Sequence, residues 1–465
     1  MAGLRYVTKM KNHIKKIFIY FGIFLMSVLL MLGLLVLSAC VRTESMQGNF
    51  EDSAELLCEN NVFTYMEEDV AGSCIDRYAD SILLNIAYNF EPDNAMESVM
   101  WSSFYSLSDK NENITFSETV KEGKEKNTQY LRYWHGSAGV VRLLHIFLSL
   151  GQIYVLFGVV LAVLFIILVF LLIRSRCVWE AAALGISMIA VSIWYVPFSL
   201  EYTWVFLCMF AFSIAAARLV KSGRERHLGI MFMVSGMVTI YFDFLTTETL
   251  TFTVPMILVL VLKKHGYGSG SVDIVSGKAL TAGQDKQKNS NTLSKNLIYI
   301  LKNVCLWGIG YAGMWVSKWL IASVVLGENV MPYVTGHIEE RLAGSLGNDV
   351  SFIEYLWMAV SRNIKSLFPV DHGTWGVIAF CILILAVAYF CFVYRKKKIE
   401  WSYVILMLII GFIPVVRLLV LRNHSAIHYF FAYRALAGTV FAILVSAGAV
   451  TDFGIMRKTH SKHKK

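Results

Sequence analysis

The sequence predicts an all-α, polytopic helical membrane protein with about ten transmembrane helices and a large first outer loop. Three observations carry this. Apolar residues fill 56% of 465 positions and charged residues only 16%, against about half and a quarter in soluble domains. Uncharged apolar runs of about 20 residues recur, long enough to cross a bilayer as helices, whereas a membrane β-barrel reads as short alternating segments. Basic residues concentrate in every second loop, the pattern that places such loops in the cytoplasm. The same placement accounts for the net charge of +9. No nucleic-acid partner is expected, because no basic, aromatic-interleaved domain is present.

Taken in order, residues 1–16 are a basic tail and 17–40 the first span. The basic flank puts the N-terminus in the cytoplasm. Leu37-Ser38-Ala39-Cys40 also has the form of a lipoprotein cleavage site. The apolar run is long for a signal core, and the further spans remove the need for a lipid anchor. Residues 41–143 form the outer loop, which with its acids from Glu44 to Glu125 holds eighteen of the thirty-three in the chain. Within it, Ser81–Tyr88 is expected as a surface helix, 108–128 as a mobile polar segment, and Asn113-Ile114-Thr115 as a glycosylation sequon.

Spans two to six follow within 144–262. A Gly/Ser/Lys-rich cytoplasmic linker occupies 263–296. Spans seven to ten lie within 297–450, interrupted by an outer loop at 321–374, and a basic tail closes the chain at 451–465. Both termini are thus expected in the cytoplasm of a cell-membrane protein. In the second outer loop, Ser351 and Glu354 have capping-box spacing. Ile353, Leu356, Trp357, Val360, Ile364 and Leu367 then recur at helical spacing, which predicts an amphipathic helix along the interface.

Of eight cysteines, Cys177, Cys208, Cys305, Cys381 and Cys391 sit in or beside apolar runs and read as small core residues. Cys58 and Cys74 lie in the outer loop and are expected to pair, closing a loop worth about 3 kcal/mol. No Cys/His spacing suggests zinc, and no metal ligand is assigned.

Four polar clusters fall at outer span ends: Asp76, Arg77, Tyr78 and Asp80; Arg132 to His135 with Arg142; Tyr241 to Glu248; and Arg422 to His428 with Tyr433 and Arg434. Asp243 and Arg434 lie inside apolar runs, where a charge costs about 2.5–3.5 kcal/mol and normally faces a partner or a wet cavity. The plain alternative is a structural Asp243–Arg434 pair. For Asp80 it is a solvated loop carboxylate, and for Tyr133 and Trp134 interfacial anchoring. His424 and His428 have ligand spacing but no third ligand beside them.

This layout resembles the GT-C class of membrane glycosyltransferases: one N-terminal span, a large outer loop with a catalytic Asp, then many spans. The resemblance rests on architecture and on Asp80 or Asp76 as the loop carboxylate. It implies a polyprenyl-phosphate-linked sugar as donor, within the bilayer, and transfer on the extracytoplasmic face. Asp80 or Asp76 would be the base. His135, Arg132, Arg142, Asp243, Asn423, His424, His428 and Arg434 would bind the substrates. The loop lacks an Asp-Asp or Asp-x-Asp pair, with Glu68-Asp69 the nearest substitute, so use of a divalent metal stays open. A transporter or flippase for a lipid-linked or polymer precursor is the alternative, and a non-catalytic assembly protein a third.

Overall fold

The computed structural model describes residues 2–268, 284–336 and 351–453. The chain folds as α1 (Ala2–Ala39), α2 (Gln47–Cys58), α3 (Arg77–Tyr88), α4 (Ala95–Trp101), α5 (Glu112–Glu122), α6 (Gly136–Leu144), α7 (Leu150–Arg174), α8 (Val178–Ala190), α9 (Leu200–Lys221), α10 (Leu228–Phe242), α11 (Leu250–Lys264), α12 (Gln284–Leu326), α13 (Phe352–Lys365), α14 (Gly373–Val393), α15 (Trp401–Val420), α16 (Arg422–Ile427), α17 (Tyr429–Ala432) and α18 (Ala437–Val450). Among the described residues one small antiparallel hairpin interrupts the helices, with β1 (Phe63–Tyr65) against β2 (Cys74–Asp76).

By length and composition, seven helical segments are able to cross a membrane: Ile14–Ala39, Leu150–Arg174, Leu200–Lys221, Leu293–Leu326, Val370–Val393, Trp401–Val420 and Tyr429–Val450. The other three expected spans are helical but short, with 13 residues in α8 and 15 each in α10 and α11. Fifteen residues reach about 22 Å at 1.5 Å each, against a hydrocarbon core of about 30 Å. α11 is the axis of the bundle: every residue from Leu250 to Lys263 is buried, against α9, α10, α12, α15 and α18. α10 lies directly on α12. A Cβ at Gly236 would come 2.1 Å from the Trp307 carbonyl oxygen, so only glycine permits this approach. The outward faces of α1, α7 and α14 stay apolar, as in Phe170, Trp375 and Phe392 at 61%, 81% and 78% exposure.

The first loop is folded throughout. Phe50, Leu84, Phe116 and Trp134 from the loop share one core with Leu35 of α1 and Ile153 and Phe157 of α7. The segment expected to be mobile forms α5 instead. Asn111 caps its start by accepting from the Ile114 amide, and Gly123 ends it in the left-handed region. Asn113 is buried, and its Nδ2 donates to the Leu57 and Asn60 carbonyls at 2.8 and 3.0 Å. It is therefore no glycan acceptor in the folded chain.

Two buried cations pin this loop to the bundle. Arg142 was expected to bind substrate phosphate, but its guanidinium is spent on structure. It donates to the carbonyls of Ser38, Ala87, Tyr88 and Val41 and to the Thr43 hydroxyl. Those acceptors gather the end of α1 and the end of α3, whose last carbonyls lack helical partners. Lys318 of α12 donates to the Val99 and Met100 carbonyls at 2.7 and 3.0 Å, capping the negative end of α4.

The capping box at Ser351 and Glu354 is present and starts α13. Part of its apolar stripe faces outward, with Ile353 78% and Trp357 69% exposed, whereas Leu367 is buried. Tyr355, Ala359 and Asn363 form the buried side, with Asn363 donating to the Ser425 carbonyl of α16 at 2.8 Å. A stripe turned away from the protein suits a helix lying in the membrane interface. The expected linker at 263–296, the second outer loop at 321–374 and the tail at 451–465 each run partly outside the described residues.

All cysteines of the described residues are free, Cys58 and Cys74 included. Cys58 ends α2 on the surface, its thiol 3.4 Å from the Asn113 carbonyl. Cys74 is buried in β2, whose pairing with β1 turns it inward. In purified protein, maleimide is expected to modify Cys58 readily and Cys74 only after denaturation, read by peptide mass mapping. A disulfide-linked peptide would contradict the structure. Arg142→Met should cost about 3 kcal/mol or more, because several charge-assisted hydrogen bonds vanish and buried carbonyls lose their donor. Earlier proteolysis between residues 41 and 143 measures it.

Candidate functional site

The site is assembled from helix ends. β2 delivers Asp76 to the start of α3, where Asp76 Oδ1 accepts from the Ala79 amide at 2.9 Å. One turn on, Asp80 lies on the same face of α3. The first loop then returns through Tyr130-Leu131-Arg132-Tyr133-Trp134-His135 to α6. From the bundle come Glu201 at the start of α9, Phe244 in the turn after α10, and His424, His428 and Phe431 from α16 and α17. These meet at a cavity with room for about 80 Å³ of solvent, walled by Asp76, Tyr130, Tyr133, His135, Glu201 and His424 among others. All four polar clusters of the sequence reach it or hold its walls.

Asp76 and Asp80 behave differently. Asp80 is fully buried with its carboxylate filled: it accepts from Tyr154 Oη, from the Leu200 amide at 2.8 Å and from Ser199 Oγ at 3.3 Å. It caps α9 from outside that helix, so its environment is that of a structural anchor. The solvated-carboxylate alternative does not hold either. Asp76 instead opens onto the cavity and hydrogen-bonds the Glu201 side chain. Two carboxyl groups so placed share a proton, because both cannot ionise at contact. Burial pushes the Asp76 carboxyl up to about 6 and that of Asp80 up to about 7.

His135 takes left-handed backbone, φ 56°, a conformation sparsely used by non-glycine residues. Its Nε2 lies 2.7 Å from the Tyr130 carbonyl and donates to it, while Nδ1 has no hydrogen-bond partner. Burial pushes the imidazole down to about 3, so it is neutral and offers Nδ1 as an acceptor. Arg132 stacks on the rings of Tyr130 and Tyr133 at 4.2 and 5.4 Å, and its Nε is unpartnered. Of the expected phosphate-binding arginines, it is the one that stacks on cavity-wall residues, while Arg434 Nε is also unpartnered.

The remaining expected residues frame the site. Asp243 accepts from the Leu245 and Thr246 amides and the Thr246 hydroxyl, which closes the turn between α10 and α11. No Asp243–Arg434 ion pair forms. Arg434 donates to the carbonyls of Phe430 and Gly72 at 3.1 and 2.8 Å and stacks on Tyr202. It therefore binds the first loop to the last helices. His424 Nε2 donates to the Leu245 carbonyl at 2.8 Å, and Asn423 accepts from Tyr355 Oη of α13. His428 lies against His424, ring centroids 4.7 Å apart.

Glu201, Arg417 and Lys318 escaped the sequence reading. Arg417 is the single charge in its apolar run, and that signal was sufficient to find it. Glu201 stands at a span boundary, where an acid reads as ordinary helix-start charge. No protein-family model, curated protein or solved structure matches this chain.

The Asp76 pKa lies above the 3.8 of an unperturbed Asp, so the native state holds the extra proton between about pH 4 and 6. Stability then falls as pH rises through that window. Asp76→Asn keeps the α3 cap and removes the ionisation cost. It is expected to stabilise the purified protein by about 1–3 kcal/mol at pH 7.5 and by nothing at pH 4. A thermal melt showing the variant less stable at pH 7.5 would mean that Asp76 is satisfied by its surroundings.

Proposed function

We propose that the protein is a membrane glycosyltransferase of GT-C type with about ten membrane crossings. In this reading it transfers a sugar from a lipid-phosphate-linked donor on the extracytoplasmic face. The observation that carries the proposal is the Asp76–Glu201 carboxyl pair in a cavity walled by His135 and His424, where the first loop meets the bundle. Every bundle residue at this cavity comes from a helix end or turn on the loop side. That arrangement suits chemistry at one surface better than passage through the bilayer.

Asp76 is the base in this scheme. It takes the proton of an acceptor hydroxyl, with Glu201 tuning its proton affinity. His135 Nδ1 orients a donor or acceptor hydroxyl. Arg132 offsets charge on the departing lipid phosphate, which guanidinium geometry suits. Asp80 becomes a positioning residue that fixes α3 against α9. The outward apolar stripe of α13, joined to the site through the Tyr355–Asn423 hydrogen bond, borders the entry for a lipid-borne donor. A neutral substrate-facing histidine and an acid pair need no metal for proton transfer, and a divalent ion remains compatible with the two carboxylates.

Transport is the second reading, favoured by one observation: α10 and α11 are short helices meeting at a charged turn, a feature of carriers with broken helices. The deciding experiment is reconstitution with radiolabelled polyprenyl-phosphate sugars, scoring both transfer and flux. Asp76→Asn should lower transfer by about 10²–10⁴-fold with normal insertion. Asp80→Asn should reduce the folded yield while sparing turnover per folded molecule. Full transfer by Asp76→Asn, or lipid-linked sugar flux without transfer, would overturn the enzyme assignment.

A further inference from the structure

We propose that Cys177, Glu180 and His265 form a binding site for a divalent transition metal, with Zn²⁺ the ion that fits best, at the end of α11 far from the cavity. The residues come from the turn between α7 and α8 and from the end of α11. Their ligand atoms all lie within 4.8 Å of one another. Tetrahedral zinc with bonds of 2.0–2.3 Å needs ligand separations of about 3.5 Å. His265 Nε2 and Glu180 Oε1 are already 3.9 Å apart. Cys177 is buried, Glu180 half-buried and His265 exposed, so the two outer side chains are free to close the remaining distance and the ion has a route in.

The orientation of His265 supports this. Its Nδ1 is 3.0 Å from the Val261 carbonyl and donates to it, leaving the Nε2 lone pair on the side of Glu180. A backbone carbonyl on the far nitrogen is the usual support of a metal-binding imidazole. Cys177 stands at the start of α8, where burial and the neighbouring Glu180 push its thiol up, so it is the incoming cation that draws off the proton. On binding, the thiol proton leaves to solvent as the sulfur–metal bond forms. Thiolate and carboxylate then cancel the charge of the ion, which suits a site at the edge of an apolar bundle.

A second, independent observation points to the same place. Tyr403 is 2% exposed and its hydroxyl has no hydrogen-bond partner; Glu180, Cys177 and Glu400 lie in its electrostatic surroundings, and Lys264 stacks on its ring at 3.8 Å. A water completing the metal's tetrahedron would satisfy that hydroxyl. A donor set of one S, one N and one O fits Zn²⁺ better than Mg²⁺ or Ca²⁺, which favour all-oxygen ligands. The site would staple the α7–α8 turn to α11. It was not readable from sequence because Cys177 and Glu180 supply two ligands three residues apart, while the third lies across two further helices.

The test uses the full-length protein, purified in detergent and stripped with chelator, then titrated with Co²⁺. A near-ultraviolet thiolate-to-cobalt band should appear, saturate at about one equivalent and vanish on adding Zn²⁺. Cys177→Ser should abolish the band, and His265→Ala should weaken cobalt binding by about tenfold or more. If Cys177→Ser fails to fold, His265→Ala decides alone, since that residue is exposed. Absence of the band, or a band unchanged by His265→Ala, would overturn the proposal.

Discussion

The bundle depends on one buried ion pair. Arg417 of α15 donates from Nε to Glu248 at 3.0 Å, from Nη1 to Ser425 Oγ at 3.2 Å, and from Nη2 to the carbonyls of Leu245 and Thr246. Charges at this depth are tolerated only when fully paired and hydrogen-bonded. The requirement fixes three elements at once: the turn between α10 and α11, α15, and the start of α16. Leu245 is held with φ 70°, a strained conformation for a bulky residue. Its carbonyl accepts from both Arg417 and His424, and these contacts hold the turn in place. Phe244 and His424 reach the cavity on that frame. Removal of either charge would leave the other buried and alone, which costs more than the pair itself contributes.

The first loop is attached by the same logic with single cations. Arg142 and Arg434 address backbone carbonyls rather than carboxylates. Sequence patterning does not reveal such partners, because every residue carries a carbonyl. This is why Arg434 read as a partner for Asp243, the nearest opposite charge inside an apolar run. The structure satisfies Asp243 within its own turn and sends Arg434 to Gly72. There the approach is close enough that a Cβ on Gly72 would meet Tyr433 Oη at 2.7 Å.

What the sequence made legible was local or statistical. The helical class follows from composition, and the start of α13 from the Ser351/Glu354 capping box. The four polar clusters also come together around one cavity. What it concealed was relational. Composition marked 108–128 as mobile, yet Phe116 and Val120 recur at helical spacing and bury that face. Cys58 and Cys74 are near in sequence, but a surface helix end and an inward-facing strand keep them apart. The apolar stripe of α13 was correct as a pattern, and only its direction, away from the protein, needed the neighbouring α16.

Asp76 and Asp80 show how environment separates two identical side chains one helical turn apart. Asp80 has donors for its carboxylate from Tyr154, Ser199 and Leu200, and although burial still pushes it up to about 7, these bonds hold α3 against α9. Asp76 accepts from the Ala79 and Tyr78 amides and faces another acid, and Glu201 Oε2 has no partner. A bundle selected for stability alone would exclude such a pair, since an under-satisfied buried acid costs about 1–3 kcal/mol. In the proposed glycosyl-transfer scheme, the same deficit is what an acceptor hydroxyl would fill. Tyr130, Tyr133 and His135 wall the cavity without supplying that donor themselves. Around the cavity, the polar capacity left unfilled includes His135 Nδ1, Arg132 Nε and Glu201 Oε2, while Asp80 is turned to Tyr154, Ser199 and Leu200 instead.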